Sequence, residues 1–444
     1  MELGDLPAET VEKLFELGCF LIVNNLPIGS QFSIDGSSSI TGPLFQGIKL
    51  IPPGFHVISI VPAKSGTTRM DDDEDELPSS SSQIGHLIKT GFLRFFKEKE
   101  VVVRNYDPET ESLRSIDDDH QDTMISIDYM KTLDPKLAPY PLSSYIRWKS
   151  LTNLIKPVLV QKVFVSDKFG DFTLDSTMGN QSNVFSPAPP PGSVSGSKLL
   201  RNRMIWGKPR PETEESKTGV KTDADLKQHF TNWPFVDLKR SWPKDCVGPE
   251  LTRWSRDKSW LLNQIIINQL DNDTNQILGL IQLSFLTFVQ VHSIQSFESY
   301  QLYINLITKS EPGQLIKFSS KYINLLSNLV GVLRDQYDFL DQDFFQRMED
   351  FQIENWFFDC LNLFRRILNQ ISREDEGGDM RKCLKDHRVG SDWQALQEVC
   401  RKFDWNVRPL KIEERDQSDS EEEVELTSSD IDDEDDNKPV VVEL

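Results

Sequence analysis

The chain has 444 residues, of which 49 are Lys or Arg and 70 are Asp or Glu, giving a formal charge of −21. Its 38% hydrophobic content, with 9 Trp and 26 Phe, is enough for two or three cores at the usual ~100–200 residues per domain, which excludes a wholly disordered polymer. A general nucleic-acid binder and an anionic-membrane binder are both disfavoured, because phosphate-rich surfaces are gripped by clustered cations.

Residues 6–17 read as a short helix, with Pro7 in the first turn, Leu14 and Leu17 on one face and Gly18 as its stop. The period then changes. Cys19–Val23 is a continuous apolar run of strand length, Gln31–Asp35 alternates, and Asp35–Gly36 suits a turn. Leu44–Lys49 is a further strand candidate. Ile51–Pro52–Pro53–Gly54 reads as a rigid corner, followed by alternation over Phe55–Val61 and by strands at Phe92–Phe96 and Val101–Tyr106. Helices are predicted at 120–132 and 143–155, separated by Pro139 and Pro141. The Pro/Ser-rich stretch 175–224 reads as a flexible linker, followed by an aromatic island at Trp233, Pro234, Phe235 and Trp242 that is expected to lie against a domain surface. Helical periodicity follows at 250–270, 275–291, 294–309, 312–335, 349–371 and 391–404.

The predicted class is therefore α+β. A mostly-β domain with a few helices spans 1–170, a largely flexible linker 171–245, and an all-helical domain of antiparallel neighbours 246–410. An acidic disordered tail occupies 411–437 and a strand-forming peptide 438–444. The excess acid sits in three places. Segment 411–444 carries −12, 64–83 carries −4 and 107–119 carries −5, which together make up the whole imbalance. Like charges in runs repel one another, so all three are expected as mobile loops or tails. The folded remainder is near neutral, which suits protein partners better than polyanions.

The five cysteines are scattered and odd in number, so a reducing compartment is expected rather than a disulfide framework. The N-terminus carries acids where a secretory signal carries bases, and no run of ~18 wholly apolar residues is present. A soluble intracellular chain is the expectation. No phosphate-cradling glycine loop occurs. Gly192–Gly196 has Val194 where a nucleophile elbow needs its Ser. Cys383, His387 and Cys400 fall short of a four-ligand zinc pattern. Neither enzyme activity nor a cofactor or metal is expected, although a hidden hydrolase site formed in space is not tested by sequence order.

Two features of the tail stand out. Val440, Val441 and Val442, followed by Glu443 and Leu444, form a β-prone peptide suited to adding to a partner's sheet edge. Ser418 and Ser420 precede acids, a setting for acidophilic kinases, and each phosphate would add roughly 1.5–2 negative charges.

The block Phe32–Ser33–Ile34–Asp35, Gly42–Pro43, Phe45, Gly47–Ile48–Lys49 and Ile51–Pro52–Pro53–Gly54–Phe55–His56 resembles the N-terminal signature of the A1-cistron-splicing factor family. Pro139–Tyr140–Pro141 with Trp148 and Ser150–Leu151–Thr152–Asn153 is similar to its second block. Gly279, Gln282, Phe285, Phe288, Leu302, Tyr303, Leu306, Ile307, Phe403–Asp404–Trp405 and the closing Pro439–Leu444 also match. The resemblance spans about 1–170 and 246–444. The acidic loop 64–83, the linker and the acidic tail depart from it.

This resemblance implies a non-catalytic assembly factor of the U5 small nuclear ribonucleoprotein (snRNP) in pre-mRNA splicing. Such a factor binds the RNase H-like and Jab1/MPN domains of pre-mRNA-processing-splicing factor 8 in a cytoplasmic U5 snRNP precursor. It competes with the U5 helicase and keeps RNA off until it is released in the nucleus, with phosphorylation as the expected lever. It also implies a VHS-like helical superhelix and a C-terminal strand that bridges the two scaffold domains. No membrane and no sequence-specific nucleic-acid contact is implied. The competing reading is a VHS-like peptide-binding adaptor.

Overall fold

The computed structural model describes residues 16–63, 89–115, 132–175, 179–180, 230–234, 236, 238, 241–244, 246–348, 351–374 and 388–410. Ten of its strands make two five-stranded sheets. The first contains β1 (Cys19–Asn24), β4 (Gly47–Ile51), β7 (Val101–Asp107), β8 (Ser112–Ser115) and β9 (Ala138–Pro139), in the order β8-β7-β1-β4-β9. The second contains β2 (Gln31–Ile34), β3 (Ser37–Ile40), β5 (Gly54–Val61), β6 (Thr90–Phe96) and β10 (Phe172–Asp175), in the order β10-β6-β5-β2-β3.

Strand β1 explains its own sequence. Leu21 pairs with Ile48 on one side, antiparallel, and with Val102 on the other, parallel. Leu21 and Val23 join Phe32, Ile34, Ile58, Ile60 and Phe92 in one core. Ile22, on the opposite face, packs with Val103, Leu133 and Leu137. A strand buried on both faces has no polar side to alternate with, hence the unbroken apolar run. Where β1 meets β4, Gly47 takes φ of 134° and a Cβ there would overlap the Leu21 carbonyl, so only glycine fits.

Three sequence expectations need correction. The segment 107–119 was expected as a mobile acidic loop, but 107–115 is a β7–β8 hairpin. Asp107 accepts from the Glu109 amide at 2.9 Å and the Thr110 hydroxyl at 3.0 Å and pairs with Arg114 at 2.9 Å, so local capping absorbs the acid. The expected flexible linker 171–245 is built into the fold at both ends. Residues Phe172–Asp175 pair with β6, and the buried Asp171 carboxylate binds both Arg94 and Arg104. Further on, the Asn232 amide donates to the Val163 carbonyl at 2.7 Å, and Trp233 packs edge-on to Phe164. The base of the intervening connection is closed by the parallel pair of β11 (Gly179–Asn180) and β12 (Phe230–Thr231). Strand β3 was missed altogether, because Ser37–Ser38–Ser39 carries no hydrophobic alternation. The predicted helices at 6–17 and 120–132, the acidic run 71–76 and the tail lie outside the described residues, apart from Glu16, Leu17 and Thr132.

Two short helices lie between β9 and β10, α1 (Tyr145–Thr152) and α2 (Pro157–Val163). The second was not predicted, since its seven residues, about two turns, show no clear period. The helical region comprises α3 (Pro249–Arg256), α4 (Ser259–Gln269), α5 (Thr274–Val291), α6 (Ile294–Thr308), α7 (Pro312–Phe318), α8 (Lys321–Phe339), α9 (Phe344–Met348), α10 (Phe351–Glu374) and α11 (Val389–Cys400). The predicted helix 250–270 is two helices, because the Asp257 carboxylate stops the chain to accept from the Ser259 amide at 2.8 Å and the Glu311 amide at 2.9 Å. The predicted 312–335 breaks at the extended Ser319.

Helix α5 lies at the centre. It is 83% buried and, by mean hydropathy and length, apolar enough to cross a membrane. Here its flanks are covered by α6 and α8 on one side and by α1, α2, β5 and β10 on the other. The described sheets and helices fall in a single compact unit ending at Leu410. Replacing Gly47 with Ala should cost about 2–4 kcal/mol, as a residue forced into a closed position does, read as a lowered midpoint in urea unfolding.

Candidate functional site at the seam of the sheet domain and the helical region

The signature residues converge on one buried network. Asp35 ends β2 in a left-handed turn with φ of 52°. Its Oδ1 accepts from the Val57 amide at 3.0 Å, and its Oδ2 accepts from the Tyr140 hydroxyl at 2.6 Å. His56 Nδ1 stands 2.6 Å from the same Oδ2, and its Nε2 is 2.7 Å from the Pro52 carbonyl oxygen. A carbonyl only accepts, so Nε2 carries a hydrogen and donates it. Burial, with the Asp35 carboxylate beside it, pushes the Tyr140 phenol well above its ordinary range, so it stays a donor. The His56 ring also meets Phe96 and Tyr140 edge-on.

The remaining signature residues frame this network. Phe32 is buried in the core beside Phe45. Lys49 reaches the Asp134 carboxylate at 2.9 Å and its carbonyl at 3.1 Å. Pro53 and Gly54 turn the chain from β4 into β5, while Gly42 opens onto unoccupied space. Trp148 on α1 donates from Nε1 to the Phe55 carbonyl at 2.8 Å and stacks on the Phe55 ring. The signature is thus a scaffold that fixes α1 to the sheets.

Helix α1 in turn carries the seam. Trp148 packs on Phe339 at the end of α8, and the Phe339 ring lies against Gly36. Arg147 stacks over the same ring and pairs with Asp338 at 2.9 Å. Further along, Gln282 of α5 accepts from the Leu154 amide at 3.0 Å through Oε1. Its Nε2 donates to Asn153 Oδ1 at 2.9 Å and to the Ser150 carbonyl at 3.4 Å. Gly279 lies one turn before it, where a Cβ would stand 2.7 Å from Leu159 Cδ2 and closer still to the Leu154 carbonyl. Four family-matched positions, Ser150, Asn153, Gly279 and Gln282, therefore meet across the two regions. Lys156 with Asp273 and Lys162 with Asp271 add exposed ion pairs at the rim. Sequence reasoning missed Arg147, Asp338 and Phe339; the only available signal was their nearness to Trp148 and to the end of a predicted helix.

Chemically, this arrangement holds surfaces rather than reacting groups. His56 is tied at both nitrogens, and its side chain is 1% exposed. Burial pushes the thiol of Cys19 up to about 11 and those of Cys360 and Cys400 up to about 12, so all three stay protonated near neutrality. Among the described residues, no group of three or more His, Cys, Asp or Glu is placed to hold a metal ion. Cys383, His387, Ser418, Ser420 and the peptide Val440, Val441, Val442, Glu443 and Leu444 lie outside the described residues.

Replacing Tyr140 with Phe removes a donor from a buried carboxylate and should cost about 1–3 kcal/mol. Replacing Gln282 with Leu strips three seam hydrogen bonds and should cost a similar amount, about 1–3 kcal/mol, since the Leu154 amide is left unpaired. Chemical denaturation measures both. The Gln282 variant should also speed amide exchange at Leu154, whereas the Tyr140 variant should act within the sheets.

Comparison with known proteins agrees with this division. The model of the AAR2 N-terminal domain matches residues 17–165, and that of the AAR2 C-terminal repeat region matches 233–408. The second match begins at Trp233, where the chain rejoins the fold. Similar curated proteins include the Protein AAR2 homologs of Pongo abelii, 27% identical over 343 residues, and of Homo sapiens, 26% identical over 343; each alignment covers 76% of this chain and 80% of the relative. That of Caenorhabditis elegans is 24% identical over 308 residues, covering 69% of this chain and 76% of the relative. With both family regions matched and joined through the residues that carry the signature, the chain belongs to the AAR2 family, the A1-cistron-splicing factors.

Proposed function

We propose that this protein is a non-catalytic assembly factor of the U5 snRNP. It grips the RNase H-like and Jab1/MPN domains of pre-mRNA-processing-splicing factor 8 in a cytoplasmic precursor and travels with it to the nucleus. The observation that carries this reading is the seam. Gln282, Trp148 and Phe339 hold the two family regions in fixed register, so a partner meets a surface already organised and little ordering entropy is lost on binding. Ile28, Ile40 and Leu44, before, on and after the β2–β3 hairpin, are 65%, 70% and 70% exposed, and apolar side chains left in water suit a protein partner.

The mode of action is occupancy. While bound, the factor excludes the U5 helicase and RNA by mass action, and it leaves when its affinity falls. Phosphate added at Ser418 or Ser420 would lower affinity by bringing charge towards the contact. The Val440–Leu444 peptide supplies a strand to the scaffold, a role that rests on its β-prone sequence.

Calorimetry with the two scaffold domains tests the reading. The intact chain should bind, and Val441→Pro, which removes a ladder donor, should weaken binding about tenfold. Unchanged affinity in that variant would remove the strand from the account. An intact chain that binds neither scaffold domain would overturn the whole.

A further inference from the structure

The signature network holds a hydrogen that its heavy atoms alone reveal. The His56 side chain, on β5, is 1% exposed, and the Asp35 carboxylate beside it is wholly buried. Nε2 stands 2.7 Å from the Pro52 carbonyl oxygen, which only accepts, so that nitrogen bears a hydrogen. Nδ1 stands 2.6 Å from Asp35 Oδ2. A neutral imidazole with its hydrogen on Nε2 offers a bare lone pair at Nδ1, and an ionised carboxylate offers another. Two acceptors facing each other so closely, away from water, repel. A hydrogen therefore lies between Nδ1 and Oδ2.

Its owner follows from the other bonds to Asp35. Oδ1 accepts from the Val57 amide at 3.0 Å, and Oδ2 accepts from the Tyr140 hydroxyl at 2.6 Å. Donors aimed at both oxygens favour the ionised carboxylate, and a buried carboxylate calls for a counter-charge. Among the described residues, His56 is the one side chain placed as an ion-pair partner of Asp35. The other titratable groups facing the pair are two phenols and a guanidinium. Tyr140 donates to Asp35, and Tyr145, at the start of α1, is held above its usual range by burial and by the Asp35 charge. Arg94, opposite His56 in the β5–β6 register, is committed to Glu100 at 2.6 Å and to Asp171. From β6 the apolar Phe96 ring completes the surroundings.

We propose that His56 is an imidazolium in the folded protein, and that this buried proton is the clasp that closes the signature network. Both ring nitrogens then donate, Nε2 to Pro52 and Nδ1 to Asp35, and both carboxylate oxygens accept. In an unfolded chain an imidazole gives up its proton near about 6.5 and a carboxyl near about 3.9. Between those values both states carry the same proton, so the clasp adds no pH dependence there. Above about 6.5 the unfolded chain has lost the proton and the folded chain keeps it, so stability falls as pH rises. The device reaches the seam, because Gly36, the residue after Asp35, receives the Phe339 ring. Removing the proton would leave two opposed acceptors beside the turn on which that ring rests. The clasp is independent of the U5 reading, since it belongs to the free chain.

Two measurements on the full chain test this. Long-range proton–nitrogen NMR with isotope-labelled histidine distinguishes an imidazolium from either neutral tautomer. The His56 ring, identified by its contacts with the Phe96 and Tyr140 rings, should carry hydrogen on both nitrogens at about pH 6 and still at about pH 8. A bare nitrogen on that ring at neutral pH, whichever nitrogen it is, overturns the proposal. Urea unfolding supplies an independent readout. From pH 7 to pH 8 the unfolding constant of the wild-type chain should rise about eightfold more than that of His56→Gln, because only the wild type releases this proton on unfolding. Equal pH dependence in the two chains also overturns it. If His56→Gln does not fold, the wild-type NMR signal decides alone.

Discussion

A helix that is apolar on every side has to be covered on every side, and helix α5 imposes that demand on the rest of the molecule. Its Leu, Ile and Phe side chains leave no face for water. Helices α6 and α8 cover part of it, and the sheet domain covers the remainder through α1, α2, β5 and β10. Its few buried polar groups are matched in place. Thr287 donates to the Leu283 carbonyl at 2.9 Å, and Gln282 reaches across to the backbone after α1. One polar side chain at the centre of an apolar contact sets register, because any slip would leave its partners unpaired.

The signature network makes the sheet side of this contact rigid. Asp35 gathers an amide, a phenol and an imidazole, and Trp148 anchors α1 to the Phe55 carbonyl. From that anchor the same helix presents Arg147 and Trp148 to the end of α8. The residues by which the family is recognised thus shape the protein from inside. They hold two unlike layers in one relation.

Much of the fold was legible in the sequence. Cys19–Val23 and Phe55–Val61 showed as strands by their apolar patterns, and 275–291 and 294–309 showed as helices to within a residue of their observed ends. What was missed depends on partners that composition and periodicity do not reveal. Ser37–Ile40 is a strand only because β2 lies beside it. The acids of 107–115 looked like a repelling run, yet Asp107 is spent on a local turn and on Arg114. Trp233 was expected against a domain surface, and Phe164 and the backbone of Val163 hold its neighbourhood there. The signature residues were named by resemblance. Their joint role was not readable from spacing, since Asp35 and Tyr140 are far apart along the chain.

The parallel pairing of β11 with β12 sets Gly179 opposite Phe230 and Asn180 opposite Thr231, so two points far apart along the chain stand side by side. The fold holds each of them by contacts of its own. Asp175 pairs with Thr90 of β6 just before β11, and the Asn232 amide donates to the Val163 carbonyl just after β12. The sheet edge and the place of Trp233 against Phe164 are therefore set by these neighbours and by nothing that the sequence between them has to supply.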